Sequence, residues 1–173
     1  MHQSSRFTMA AAILAVAGSS LCTGQVKSQI DFSKPVVISP FGSFFKEAHG
    51  LPDSTRTAVI QFLNDAGMFP AVLTPEEAKD KDKSTLLELG ATLSDFKPGN
   101  MATRLVVGLG TGRAHAGFDF TIKDAGGGTV WQKKIQETAS FWSNSASSIS
   151  QRQELPEKVA KTLVRELQKI KVK

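Results

Sequence analysis

The sequence predicts an α/β domain of the α+β type: a mixed, largely antiparallel sheet of about four to five strands with two main helices packed on one face. Three features of the chain predict it. Ala114, Ala116, Phe118, Phe120 and Ile122 alternate with Arg113, His115, Gly117, Asp119, Thr121 and Lys123, the period of two that marks a half-buried strand. Asp124-Ala125-Gly126-Gly127-Gly128 then turns the chain, and Thr129 to about Phe141 returns as the partner of a β-hairpin. Finally, two apolar stripes recur at helical spacing, one through Val59, Phe62, Leu63 and Ala66 and the other through Val159, Leu163, Leu167 and Ile170.

Before the domain, Met1 to Arg6 is short and basic, and Phe7 to Ala17 runs uncharged for eleven residues before giving way to Gly18, Ser19 and Ser20. That is the pattern of a signal peptide, since a spanning helix needs about 20 apolar residues. Residues 1–24 are read as the signal peptide, 25–33 as a polar linker and 34–173 as one α/β domain. The mature chain is expected to begin between Gly18 and Gln25. Ala15-Val16-Ala17 has a small-x-small form, whereas Ser19-Ser20-Leu21-Cys22 matches a lipobox loosely, with Leu21 where a small residue is usual. Cys22 is therefore the candidate lipidation site and the one route to membrane anchoring that the sequence offers. As the single cysteine of the chain, it excludes an intramolecular disulfide and a multi-cysteine metal centre.

Within the domain, Lys34 to Pro40 reads as a first strand rich in β-branched residues. Phe41 to Gly50 follows as a loop carrying two exposed phenylalanines, Phe44 and Phe45. Asp53 or Ser54 can cap the first helix, and Gly67 can stop it. Phe69 to Leu73 is short enough for a second strand. Thr74-Pro75-Glu76-Glu77 is a capping box opening a brief helix, and Lys79 to Lys83 alternates charge as a solvated loop. Thr85 to Phe96 reads as a strand with Leu87, Leu89, Ala91 and Leu93 on one face, closed by a turn at Lys97 to Asn100. Arg104 to Val107 leads through Gly108, Gly110 and Gly112 into the hairpin. Lys133, Lys134, Gln136 and Glu137 dilute both faces of the return strand and mark it as a sheet edge. Ser143 to Gln153 is polar enough to be a flexible connection, and Pro156 fits the first turn of the last helix.

Chemistry-bearing patterns are sparse. A nucleotide loop would need glycine at 113, where Arg113 stands, and a helix after the glycines instead of a strand. The glycine string is better used as a bend, so Gly110→Val is expected to damage folding more than Gly127→Val, which falls in a solvated turn. His115 and Asp119 share a strand face but lie about 13 Å apart, too far for one ion. GxSxG and HExxH patterns are absent. Asp95 and Asp124 flank turns, where aspartates are usually structural. No residue is assigned a catalytic, cofactor-binding or metal-binding role, and no cofactor is expected. Trp131, Phe141 and Trp142 are the candidate partner-binding residues, as aromatic anchors dominate docking sites; sheet packing is the competing use.

The formal net charge is +5. From Arg152 to Lys173 there are seven Lys/Arg against three Glu, which concentrates the excess in the last helix. Without interleaved aromatics, such a helix end complements its own dipole and does not suggest nucleic-acid binding.

The run Gly90 to Asn100, followed by Arg104 to Gly112 and then by Lys123-Asp124-Ala125-Gly126-Gly127-Gly128, resembles the bacterial domain-of-unknown-function family 4410 over roughly residues 34–171. The resemblance implies an exported protein or lipoprotein without assigned catalytic residues. The element order also looks like small envelope domains of the TolB N-terminal and curli-secretion lipoprotein kind. The expected protein is thus exported to the periplasm or associated with the outer membrane. It would be a non-enzymatic binding or assembly module whose partner is an envelope protein or cell-wall component. The alternative is a small envelope hydrolase acting on glycan or lipid substrates through Asp95, Asp119 or His115.

Overall fold

In chain order the elements are β1 (Val36–Ile38), β2 (Gly42–Ser43), α1 (Leu51–Asp65), β3 (Val72–Leu73), β4 (Leu87–Lys97), β5 (His115–Lys123), β6 (Thr129–Thr138) and α2 (Ser148–Lys171), with 3-10 turns at Lys46–Ala48 and Lys83–Thr85. The computed structural model describes residues 30–99, 113–139 and 148–172. Cys22, Gly110, Phe141 and Trp142 lie outside the described residues, and so do the signal segment, the glycine string and residues 140–147.

The six strands form one mixed sheet of order β3-β1-β4-β5-β6, with β2 also against β4. The antiparallel part is the long part, because β4, β5 and β6 pair over nearly their whole lengths. β1 and β2 share the other side of β4 in parallel, β1 opposite Leu87 to Leu89 and β2 opposite Thr92 and Leu93. The sheet has one strand more than the sequence predicts, since β2 spans two residues, too few to show a period.

Alternation places the apolar residues of β5 and the residue before it as expected: Ala114, Ala116, Phe118, Phe120 and Ile122 are all 0% exposed. Their cross-strand partners on the same face include Leu89, Ala91 and Leu93 of β4 and Trp131 and Ile135 of β6. In β4 the apolar parity breaks, because Phe96 is an odd number of residues beyond Leu93 and yet is also buried. A register shift between Leu93 and Asp95 explains it: one extra residue enters β4, and Phe96 returns to the core opposite Ala116.

Helices α1 and α2 cover this one face. Leu51, Thr55, Ala58, Val59 and Leu63 are the buried side of α1. Leu155, Val159, Ala160, Leu163, Val164 and Leu167 are buried on α2, a broader stripe than the four positions read from the sequence. The guanidinium of Arg56 donates to the carbonyl of Ile38 from Nε (3.2 Å) and Nη2 (2.9 Å), tying α1 to the end of β1.

Several local expectations are corrected. α1 begins at Leu51 with Gly50 at the N-cap and Pro52 in its first turn, one turn before a cap at Asp53 or Ser54 would place it. Burial of Leu51 and proline's pre-set φ explain the earlier start. Gly67, at φ +55°, ends the helix as expected. The Thr74 and Glu77 backbone amides bond reciprocally to each other's side chains (2.8 and 3.3 Å), but this box closes turns and no helix follows. Of the two phenylalanines after β1, Phe44 is 80% exposed, whereas Phe45 packs on the core with its ring 6.1 Å from that of Phe96. The packed chain also starts before residue 34, since Ile30 is 5% exposed and the Phe32 ring lies 5.3 Å from that of Phe69.

α2 starts at Ser148, so Pro156 lies inside the helix and not in its first turn. A proline there leaves the carbonyl four residues earlier without its helical donor. The residue is itself buried, in keeping with a packing use.

β6 is an edge strand among the described residues. Its inward charged residues are met by α2: Lys133 bonds Glu166, and the Glu137 carboxylate accepts from the Thr162 hydroxyl at 2.6 Å. Lys169 also donates to Glu166, at 2.7 Å. Together these hydrogen bonds, that from Lys133 foremost, lower the Glu166 carboxyl from its ordinary 4.5 to about 2. A depressed carboxyl contributes stability that is complete above its unfolded pKa and is lost as pH falls through the folded one. Glu166→Gln should therefore cost about 1 kcal/mol at neutral pH, after allowing for solvent screening. It should also flatten the stability loss between the two pKa values; melts at pH 7 and pH 3 that fall in parallel for both proteins would refute the coupling.

Candidate functional site

The sheet face opposite the helices carries the candidate site. Its central rows, read across β4, β5 and β6, are Thr92, Asp119 and Lys134; then Asp95, Gly117 and Gln136; then Lys97, His115 and Thr138. Strand alternation sends these side chains outward because their neighbours are the core. Gly117 has no side chain and is buried beneath its neighbours. Asp95, Gln136 and Lys134 close around it.

The His115 Nε2 is 3.1 Å from Asp95 Oδ2, and the same oxygen accepts from Gln136 Nε2 at 3.2 Å. The other imidazole nitrogen, Nδ1, is 3.3 Å from the Thr138 hydroxyl. A neutral ring satisfies both contacts when Nε2–H donates to Asp95 and Nδ1 accepts from Thr138. The pair is partly open, with 22% of the His115 side chain and 36% of that of Asp95 exposed. The result is a lateral polar network stitched across three strands.

Asp95 does not flank a turn, as the sequence suggested; it stands inside β4 at the bulge, which is what aims its carboxylate at His115. Asp119 is in the neighbouring row opposite Thr92 and Lys134, apart from the Asp95 and His115 pair. Gln136 and Thr138 carry no signal in the sequence that singles them out. Counting back from the Asp124–Gly128 turn places Glu137 opposite His115; a register shift between Ile122 and Lys123 adds one residue to β6 and brings Thr138 there instead, and Asp95 is reached only through the pairing of β4 with β5.

Asp124 stays in its turn: its Oδ1 accepts from the Gly126 and Gly128 amides at 3.0 and 2.9 Å. Gly127 in the same turn has φ +79°, so Gly127→Val is costly through backbone strain despite its solvent exposure. The contrast expected between Gly110 and Gly127 loses its benign partner. Of the three candidate docking aromatics, Trp131 is 7% exposed in the core, where it pairs with Ile122.

Among the described residues no group of three or more His, Cys, Asp or Glu could hold a metal ion, and no helix is long and apolar enough to cross a membrane. Two cavities lie away from the network. One, of about 570 Å³, is between α1 and the Pro156 region of α2, lined by His49, Ser54, Thr57 and Gln61 among others. The second, of about 480 Å³, lies near the β5–β6 turn.

No family model matches the chain, and no curated protein matches it. Solved structures do share its fold. The PelC dodecamer from Paraburkholderia phytofirmans aligns with TM-score 0.51 at 16% identity, over 73% of this chain and 85% of that one. A singly substituted variant of the PelC dodecamer from the same organism aligns with TM-score 0.53 at 15% identity, over 76% and 86%.

Proposed function

We propose that this chain is an exported cell-envelope protein acting as a non-enzymatic binding or assembly module, with an envelope protein or cell-wall component as partner. The observation that carries the reading is the open sheet face. Its acid and imidazole bond sideways to each other and to Gln136 and Thr138, and neither of the two cavities described above is lined by any of them. Hydrolases place such groups in a concave pocket where substrate and water can be positioned. A broad polar face beside an edge strand suits docking of a large partner. Export is supported by the uncharged run at residues 7–17, and Cys22 remains the candidate anchor. The PelC structures, described as dodecamers, lend the assembly arm a precedent in fold only.

Crosslinking in cells followed by mass spectrometry tests the proposal. Photocrosslinkers at Thr121 and Gln132, on the open face, should capture one envelope component reproducibly, and the same probes at exposed α1 positions such as Gln61 should not. Equal capture from both faces would refute the use of this surface. Turnover of chromogenic ester, glycoside or phosphate substrates, lost on His115→Ala or Asp119→Asn, would replace the proposal with the hydrolase alternative.

A further inference from the structure

Near the β5–β6 turn the outer side of the sheet is concave. The cavity of about 480 Å³ there is bounded by the 74–85 segment on one side and the 124–127 turn on the other. That volume is within the range of small-molecule sites, roughly 300–1,000 Å³. Val37, Pro75, Ala78 and Leu86 give it apolar walls, and Lys79 and Lys83 are its cations.

The charged groups around it are not equally committed. Glu88 is held through Oε1, which accepts from the Ser39 hydroxyl at 2.5 Å. Asp124 is folded into its own turn: besides the two amide bonds to Oδ1, a Cβ added at Gly128 would lie 3.3 Å from both carboxylate oxygens. By contrast, Lys79 and Lys83 are exposed and make no ion pair or side-chain hydrogen bond among the described residues. Their segment is braced, since Thr74 and Glu77 bond reciprocally and Asp82 accepts from the Ser84 amide (2.9 Å) and hydroxyl (2.7 Å). The cavity thus combines an apolar lining, two cations with unspent donors and a fixed wall.

We infer that this cavity is a binding site for a free amphiphilic organic anion, with a carboxylate, sulfate or phosphate head between Lys79 and Lys83 and an apolar tail along Val37, Ala78 and Leu86. The site is separate from the open-face network and does not depend on the proposed function. The ammonium groups supply the charge-assisted bonds, and the lining supplies burial of the tail.

The test uses the full mature chain and the fluorescent anion 8-anilinonaphthalene-1-sulfonate. Saturable fluorescence should appear and be displaced by decanoate below its micellar concentration, while decyltrimethylammonium at equal concentration displaces little. The double substitution Lys79→Ala with Lys83→Ala should weaken binding at least tenfold with an unchanged melting temperature, and Lys79→Arg with Lys83→Arg should restore it. Undiminished binding by the alanine variant overturns the assignment, as does equal displacement by the cationic amphiphile. Binding of phosphatidylglycerol vesicles without binding of monomeric decanoate also overturns it, because the ligand would then be a bilayer surface.

Discussion

Replacing Phe118 by alanine should destabilise the protein by about 4 kcal/mol, the middle of the range for emptying a large aromatic site in a core. Phe118 is 0% exposed at the centre of β5, in register with Leu93 on one side and Ile135 on the other. Its ring centroid lies 6.3 Å from that of Phe41 and 6.0 Å from that of Phe120, so the substitution removes a member of an aromatic cluster as well as buried area. Strand pairing prevents the backbone from closing over the gap, because both neighbours of Phe118 hold their own hydrogen-bonded partners. At a few degrees per kcal/mol for a domain of this size, a loss of about 10–15 °C in Tm is expected. Urea unfolding with an unchanged slope would assign the loss to the native state. A cost under about 1.5 kcal/mol would mean that the helices can slide to fill the space and that the packing between helices and sheet is looser than the structure shows.

The same strand shows how much of the fold is legible in the sequence. A period of two sustained from Ala114 to Ile122 has one physical reading, and every apolar side chain it sends inward is buried. The hairpin and the edge position of β6 are equally plain, because the turn residues and the diluted alternation both report local chemistry. What local sequence does not carry is information held at a distance. The bulge in β4 adds a single residue, and its one trace in the sequence is that Phe96 is out of step with Leu87, Leu89, Ala91 and Leu93. The start of α2 is misplaced by composition because Ser148 to Gln153 has that of a linker, and Pro156 then looks like a first-turn residue.

The candidate site divides along the same line. That His115 and Asp119 share a face follows from alternation alone. That Asp95 meets His115, and Asp119 does not, depends on the β4–β5 register and on the bulge, neither of which local sequence encodes. Trp131 illustrates the opposite error of weighting residue type over position: in the outward/inward count of β6 it falls on the side of Ile135, and the helices cover that side.

Gly117→Val should be the most damaging change on the open face, at about 2 kcal/mol, with loss of the polar network. Gly117 does not have positive φ, so the expected cost is steric, from overpacking a filled site. A Cβ there would stand 3.0 Å from Asp95 Cβ, 3.2 Å from Gln136 Cγ and 3.3 Å from Lys134 Cε. The lysine end can swing away, but Asp95 Cβ is fixed to the β4 backbone at the bulge, and moving Gln136 breaks its 3.2 Å bond to Asp95. Gly90 is the internal control. It lies on the same face of β4, yet a Cβ there would meet only Thr121 Oγ1, at an ordinary 3.7 Å. Gly90→Val should therefore stay within about 0.5 kcal/mol of the parent, or gain slightly from the β preference of valine. Melting temperatures compare the two directly, and the His115 ring resonances report the network, shifting in the Gly117 variant and not in the Gly90 variant. Equal melting of the two variants, with His115 undisturbed in both, would show that the face has room above Gly117 and that Asp95, His115 and Gln136 do not form one tightly packed unit.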